Sequence, residues 1–183
     1  MAKRLIKFVK KHFGDEVLDS HSRLGNDTVV LKKERIAEII ERLRDDDKTQ
    51  MDMLRAITGV DYLHRDPRFE VVYVLYSLAK KHMVTLRVVV DEDDCKVPTI
   101  SHLYGCAAWT EREVWDMYGI EFEEHPDLRR VLLYQEFEGH PLRKDYDKQD
   151  AQPRIELLSR ERDSVEEFNV FVKNQSSEGS REN

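Results

Sequence analysis

The chain has 183 residues, 40% of them hydrophobic and 37% charged, with a formal net charge of −7. Globular proteins carry about 25% charged residues, so a modest core and a surface that is polar or covered by something else are expected. The composition excludes a membrane span, because the longest stretch free of Asp, Glu, Lys and Arg is 97–110; a secretory signal, because the basic first twelve residues lack an apolar region and a cleavage site; a disulfide framework, because Cys95 and Cys106 stand alone, which points to a reducing, intracellular compartment; and, through its acidic balance, nucleic acid as the default partner.

In chain order, residues 3–13 predict a short basic amphipathic helix, with Leu5, Val9 and Phe13 on one face and Gly14 as its stop. Residues 17–18 and 28–31 predict short strands separated by the turn residues Gly25, Asn26 and Asp27. Ile36, Ile39, Ile40 and Leu43 fall at i, i+3, i+4 and i+7, so a second helix is expected there, ended by the acidic run 45–47. Residues 51–58 predict another short helix, closed by Gly59. Residues 69–78 are apolar on both faces and predict a central strand. In 84–90 the alternation with Thr85 and Arg87 predicts a strand with one wetter face. Lys80, Lys81 and His82 form a connection short enough for an antiparallel hairpin, and 91–94 reads as a loop.

Residues 99–107 predict a helix. Thr110-Glu111-Arg112-Glu113 has the spacing of a capping box, in which the Thr hydroxyl accepts from the Glu113 N–H and the Glu113 carboxylate reaches back; Gly119 is the expected stop. From residue 121 onward only turn chemistry is visible, and 176–183 have a disordered composition. The pattern implies an α+β fold: a small, mostly antiparallel sheet of about four to five strands covered by helices, with an extended C-terminal segment. A domain over 1–147 and a tail over 148–183 are expected. Ile155, Leu158, Val165, Phe168 and Val172 suit the tail to lie across a partner.

The charge is uneven. Residues 111–150 hold six basic and twelve acidic residues, while 1–110 are near balance. On the helix after Thr110, Glu111, Trp115 and Tyr118 share a face, either filling the core or meeting a partner as charged-aromatic anchors do. His125-Pro126-Asp127-Leu128-Arg129-Arg130 is echoed by His140-Pro141-Leu142-Arg143-Lys144-Asp145. A residue before proline is pushed out of the α region, so each His enters an extended or turn conformation and the paired bases follow on a stiffened backbone. Arg129, Arg130 and Arg143 could form bidentate pairs with a partner's carboxylates, or internal pairs in a solvated loop. His125 and His140 with Glu123, Glu124 and Glu138 could serve as metal ligands or acid–base groups, but no H-E-x-x-H or C-x-x-C organises them. No dinucleotide, P-loop or nucleophile-elbow motif occurs.

Glu111-Arg112-Glu113-Val114-Trp115-Asp116-Met117-Tyr118-Gly119-Ile120, followed at family spacing by the two His-Pro motifs, resembles the thirty-kilodalton or C subunit of NADH-quinone oxidoreductase (respiratory complex I). Asp52-Met53-Leu54, Ile57-Thr58-Gly59-Val60-Asp61-Tyr62 and Phe69-Glu70-Val71-Val72-Tyr73 also match, so that the resemblance covers about 28–147. Departures fall at Ala108, where the family often has Asn, and at Asp147, where it often has Pro. The resemblance implies a non-catalytic subunit of the hydrophilic arm, without flavin, iron–sulfur cluster or quinone of its own; FMN and iron–sulfur clusters would reside in partner subunits. It further implies docking on the large quinone-site (D) subunit and its neighbours, in a proton-pumping complex whose peripheral arm lies on the cytoplasmic face of the bacterial inner membrane. No fused quinone-site domain is expected. The residues expected at the partner interface are Glu111, Arg112, Trp115, His125, Arg129, Arg130, His140, Arg143 and Lys144. Related subunits of membrane-bound hydrogenases and ferredoxin-dependent quinone reductases are the alternative, and a metal-dependent hydrolase built on the His/Glu-rich segment is a third.

Overall fold

The computed structural model describes residues 3–147, 149 and 151–153. Among the described residues, three α-helices, α1 (Arg4–Phe13), α2 (Ile36–Asp45) and α3 (Ala107–Tyr118), accompany seven strands. Five of these form one sheet in the order β1-β2-β5-β4-β3: β1 Val17–Arg23, β2 Asn26–Leu31, β3 Met53–Asp61, β4 Phe69–Ser77 and β5 His82–Val90. All neighbours are antiparallel except β2 and β5, which run parallel. This exception follows from the route of the chain. After β2 it crosses through α2 to the far edge, enters β3, and returns through two hairpins until β5 closes on β2. Two short parallel strands, β6 (Lys96–Pro98) and β7 (Glu121–Glu123), bracket α3. The architecture is the expected α+β.

The core lies on one side of the sheet. Phe69, Val71, Tyr73 and Leu75 of β4 and Val84, Leu86, Val88 and Val90 of β5 are completely buried, as are Ile36, Ile39, Ile40 and Leu43 of α2. Each set is one face of its element, at spacing two in the strands and three to four in the helix. The opposite sheet face, with Val72, Val74, Thr85 and Val89, is half-buried. Glu70 on that face is completely buried and paired with Arg65 and Arg87.

The helix expected over 51–58 is instead β3. Its register with β4 slips between Leu54 and Ala56, a bulge that puts two buried side chains, Leu54 and Ile57, three positions apart. A bulged strand thereby imitates helical spacing. The helix expected over 99–107 is a series of turns, and α3 begins only at Ala107. Thr110 therefore sits inside α3, its hydroxyl donating to the carbonyls of Cys106 and Ala107, and caps nothing. β4 is interior, but the central strand is β5. The predicted tail over 148–183 lies outside the described residues apart from 149 and 151–153.

Candidate docking site

α3 packs across β3, and Gly59 permits the approach. A Cβ there would stand 2.6 Å from the Tyr118 ring. The helix ends at Gly119, whose φ of 72° is left-handed and whose N–H donates to the Trp115 carbonyl at 2.8 Å. From β7 the chain returns over α3 as an irregular strap, 125–147, without helix or strand. Its backbone groups must find partners outside regular ladders, and α3 supplies them.

Asp116 is the principal anchor. Its carboxylate is completely buried. Oδ2 accepts from the backbone N–H of Val131, Leu132 and Leu133 at 3.1, 2.9 and 3.0 Å, and Oδ1 accepts from Arg130 at 2.6 Å. Burial opposes its ionisation, but these donors outweigh burial and hold its pKa below the ordinary carboxylate value. Arg130 also donates to the carbonyls of Phe137 and Gly139, at 2.7 and 3.1 Å. Arg112 donates to the carbonyls of Arg129 and Arg130, at 3.0 and 3.1 Å.

The second His-Pro motif closes over the end of α3. His140 Nδ1–H donates to the Asp116 carbonyl at 3.0 Å, an assignment required because a carbonyl can only accept. The His140 ring meets Trp115 edge-on, and burial lowers its pKa. The Arg143 guanidinium donates to the Tyr118 carbonyl and lies 5.0 Å over the Phe69 ring. Lys144 is bound through its backbone N–H, which donates to Asp61 at 2.7 Å, while its side chain is exposed. Asp145 pairs with Arg68 at 2.7 Å, and Arg68 also holds Asp61 and Glu92. Sequence reasoning missed Arg68, the hub that ties β3 and the loop after β5 to the strap. Its only sequence signal is that an acid, Asp61, and a base, Arg68, flank the same hairpin loop, although the register sets Asp61 opposite Phe69 and Arg68 opposite Tyr62.

Glu111 lies at the other end of α3, also completely buried. It accepts from the Thr99 hydroxyl at 2.5 Å and the Ile100 N–H at 2.8 Å, and among the described residues no cation is bonded to it. Burial pushes its pKa up to about 7 against these two donors. The His125 Nε2 stands 3.8 Å away but donates to the Ala108 carbonyl at 3.0 Å, and Nδ1 accepts the Asp127 N–H at 3.0 Å. This ring is thus held as the neutral Nε2–H tautomer.

Of the nine residues expected at an interface, Glu111, Arg112, Arg130, His140 and Arg143 bind this chain's own backbone, and so does His125. Trp115 is half-buried against them. Arg129 and Lys144 face outward; the Arg129 side chain pairs with Asp127, at 3.0 Å. Three apolar side chains outside the expected nine also stand exposed: Trp109 at 62%, Leu132 at 62% and Leu142 at 46%. Trp109 is held by Arg112, whose guanidinium lies 4.9 Å from its ring. Among the described residues, no group of three His, Cys, Asp or Glu side chains could hold a metal, and no helix is long and apolar enough to cross a membrane.

The family model of the respiratory-chain NADH dehydrogenase 30 Kd subunit matches residues 29–152. The C subunit of NADH-quinone oxidoreductase from Citrifermentans bemidjiense is 41% identical over 85% of this chain and 97% of its own, and that from Geobacter sulfurreducens is 39% identical over the same shares. The solved trypsin-resistant fragment of Nqo5 superposes with a TM-score of 0.60 and 36% identity over 68% of this chain and 99% of that one. A chain of the archaeal membrane-bound sulfane sulfur reductase superposes at 0.67, with 20% identity over 80% of this chain and 86% of its own, which shows a shared fold alone. The matched region takes in the strap, the helix that anchors it and strands β3, β4 and β5 beneath: the chain belongs to the family of the 30 Kd subunit of respiratory-chain NADH dehydrogenase, the C subunit of NADH-quinone oxidoreductase.

Proposed function

We propose that the chain is a non-catalytic structural subunit of the hydrophilic arm of a proton-pumping NADH-quinone oxidoreductase, and that it docks on the quinone-site (D) subunit through the outer surface of the strap. FMN and iron–sulfur clusters belong, in this reading, to the partner subunits, and the arm lies on the cytoplasmic side of the membrane. The single observation that supports the reading is the division of labour in the strap. Its inward charges fix backbone, while Arg129, Leu132, Leu142 and Lys144 stand exposed on it and Trp109 stands exposed on the first turn of α3. Exposed aromatic and arginine side chains are enriched among the residues that anchor interfaces.

Arg129→Glu with Trp109→Ala should leave the isolated chain folded, with its thermal midpoint nearly unchanged, and should prevent its co-purification with the quinone-site subunit. Normal assembly of that variant would overturn strap docking. Arg130 is unsuited to this test, because its replacement strips Asp116 and disturbs folding. Likeness to the sulfane sulfur reductase chain supports the hydrogenase-like alternative only at the level of fold. Nickel-ligating cysteine pairs in the neighbouring large subunit would favour that alternative.

A further inference from the structure

Six basic side chains around the sheet and the strap have a carboxylate: Lys33 pairs with Asp94, Arg65 and Arg87 with Glu70, Arg68 with Asp61, Lys96 with Glu121 and Arg130 with Asp116. α1 is different. Lys3, just before it, and Arg4, Lys7, Lys10 and Lys11 within it form no ion pair among the described residues. The helix contains no acid. These cations are not scattered over a convex surface. Arg4 lines a concavity of about 640 Å³ together with Arg55, Lys80, Lys81 and His82 from β3 and the β4–β5 turn. On its other side, Arg4 lines one of about 310 Å³ with Lys7, Lys11, His12 and Lys48, where the one carboxylate, Asp46, is paired with Arg42 at 3.3 Å. The one carboxylate in the larger concavity, Asp27, is buried and engaged, accepting from the backbone N–H of Lys3 and Leu5 at 3.0 and 3.3 Å. It ties down the first turn of α1 and leaves the cations uncompensated.

We infer that this basic face receives an acidic segment of a partner polypeptide, at a second docking surface separate from the strap. Unpaired cations sharing a water-exposed concavity repel one another, and a chain bearing Asp and Glu removes that repulsion while forming charge-assisted hydrogen bonds. The shape favours a polypeptide over a bilayer. An interfacial helix inserts its apolar side into the headgroup boundary, but Leu5, Ile6, Val9 and Phe13 are all buried in this protein's core. What α1 presents is charge, along two concavities that an extended segment can follow.

Zero-length carbodiimide coupling on the assembled complex, which joins an amine only to a carboxylate already in contact, tests this directly. The Lys33–Asp94 pair is the internal positive control. The expected result is coupling of Lys7, Lys11, Lys80 or Lys81 to Asp or Glu residues of another polypeptide of the complex, lost in the Lys7→Glu/Lys11→Glu variant. Coupling at Lys33 with no inter-subunit product at these lysines overturns the proposal. So does binding of the full chain to phosphatidylglycerol vesicles or to a single-stranded RNA oligonucleotide that is abolished by the same variant, without the inter-subunit product. The inference needs membership of a multi-subunit complex but not strap docking, so Arg129→Glu and Lys7→Glu/Lys11→Glu fail or succeed separately.

Discussion

The two ends of α3 each bury a carboxylate completely, five residues apart, and treat it in opposite ways. Asp116 meets three backbone N–H groups and a guanidinium, and its pKa is held down. Glu111 meets one hydroxyl and one N–H, and its pKa rises to about 7. Near Glu111 the core is poor in compensation. Among the described residues, the buried Tyr73 hydroxyl has no hydrogen-bond partner, and its pKa is pushed well up by burial and then by Glu111. Both side chains are out of contact with water, so the number and charge of the donors decide which carboxylate stays ionised. The Asp116 end is therefore an electrostatic clamp on the strap, and the Glu111 end a joint between α3 and the turns before it.

Removing the clamp should have the largest effect. Asp116→Ala leaves Arg130 and three N–H groups without their acceptor, and stripping one partner from a buried ion pair costs about 3–5 kcal/mol. Urea denaturation of the chain should show that loss, with amide exchange rising first at 130–133. A loss below about 1 kcal/mol would mean the strap is held by something else. Because the pKa of Asp116 is lowered in the folded state, its contribution is present above the ordinary carboxylate pKa and disappears as the pH falls through the native value. Acid unfolding should be blunted in the variant.

Glu111 should show the reverse sign. Its pKa is raised from 4.5 to about 7 on folding. Stability linked to it is therefore full below about 4.5 and declines as the pH rises through 7, by on the order of 3 kcal/mol across the interval. Glu111→Gln imitates the protonated acid. It should match the native chain near pH 5 and exceed it at about pH 8.5 in urea midpoint. Parallel pH profiles for the two proteins would show that the Glu111 end is not the uncompensated one.

The same contrast explains how much was legible in the sequence. α2, β4 and β5 were readable because one-sided burial imposes a period on residue type, and Gly119 marked the end of α3. β3 was not, because the bulge at Leu54–Ala56 replaced the two-residue period by a three-residue step. The strap segment was found through its motifs, but the direction of its side chains was hidden. Arg112, Arg130, His140 and Arg143 bind backbone carbonyls, which every residue possesses and no residue type announces. Charges that read as a display for a partner are largely the fasteners of the strap itself. The exposed Trp109 and Leu132 gave no pattern, since a lone apolar residue reads as core or surface alike.

Gly119→Ala sharpens the comparison at intermediate cost. The residue adopts φ 72°, and a Cβ would stand 2.6 Å from the His140 ring and 2.8 Å from Arg143 Nη2. Strain and overpacking together should destabilise by about 1–3 kcal/mol. Hydrogen exchange should accelerate over 140–146 and stay unchanged over 99–104. Equal acceleration at both ends would show that the clamp and the joint are one cooperative unit.

Thr110→Ala is the smallest effect and the most diagnostic of how α3 begins. An N-cap threonine replaced by alanine costs about 1 kcal/mol. Here the hydroxyl bonds back to the Cys106 and Ala107 carbonyls from within the helix, at 3.3 and 3.2 Å. That bond competes weakly with helix geometry, and alanine has the higher helix propensity. The two effects offset, so the thermal midpoint should move by no more than the equivalent of about 0.5 kcal/mol, in either direction. A loss of about 1 kcal/mol would mean that α3 starts at Thr110 in solution. The turns from Thr99 to Cys106 would then not be fixed from the helix side, and the hydrogen bonds that Thr99 and Ile100 give to Glu111 would have to carry that end of α3 alone.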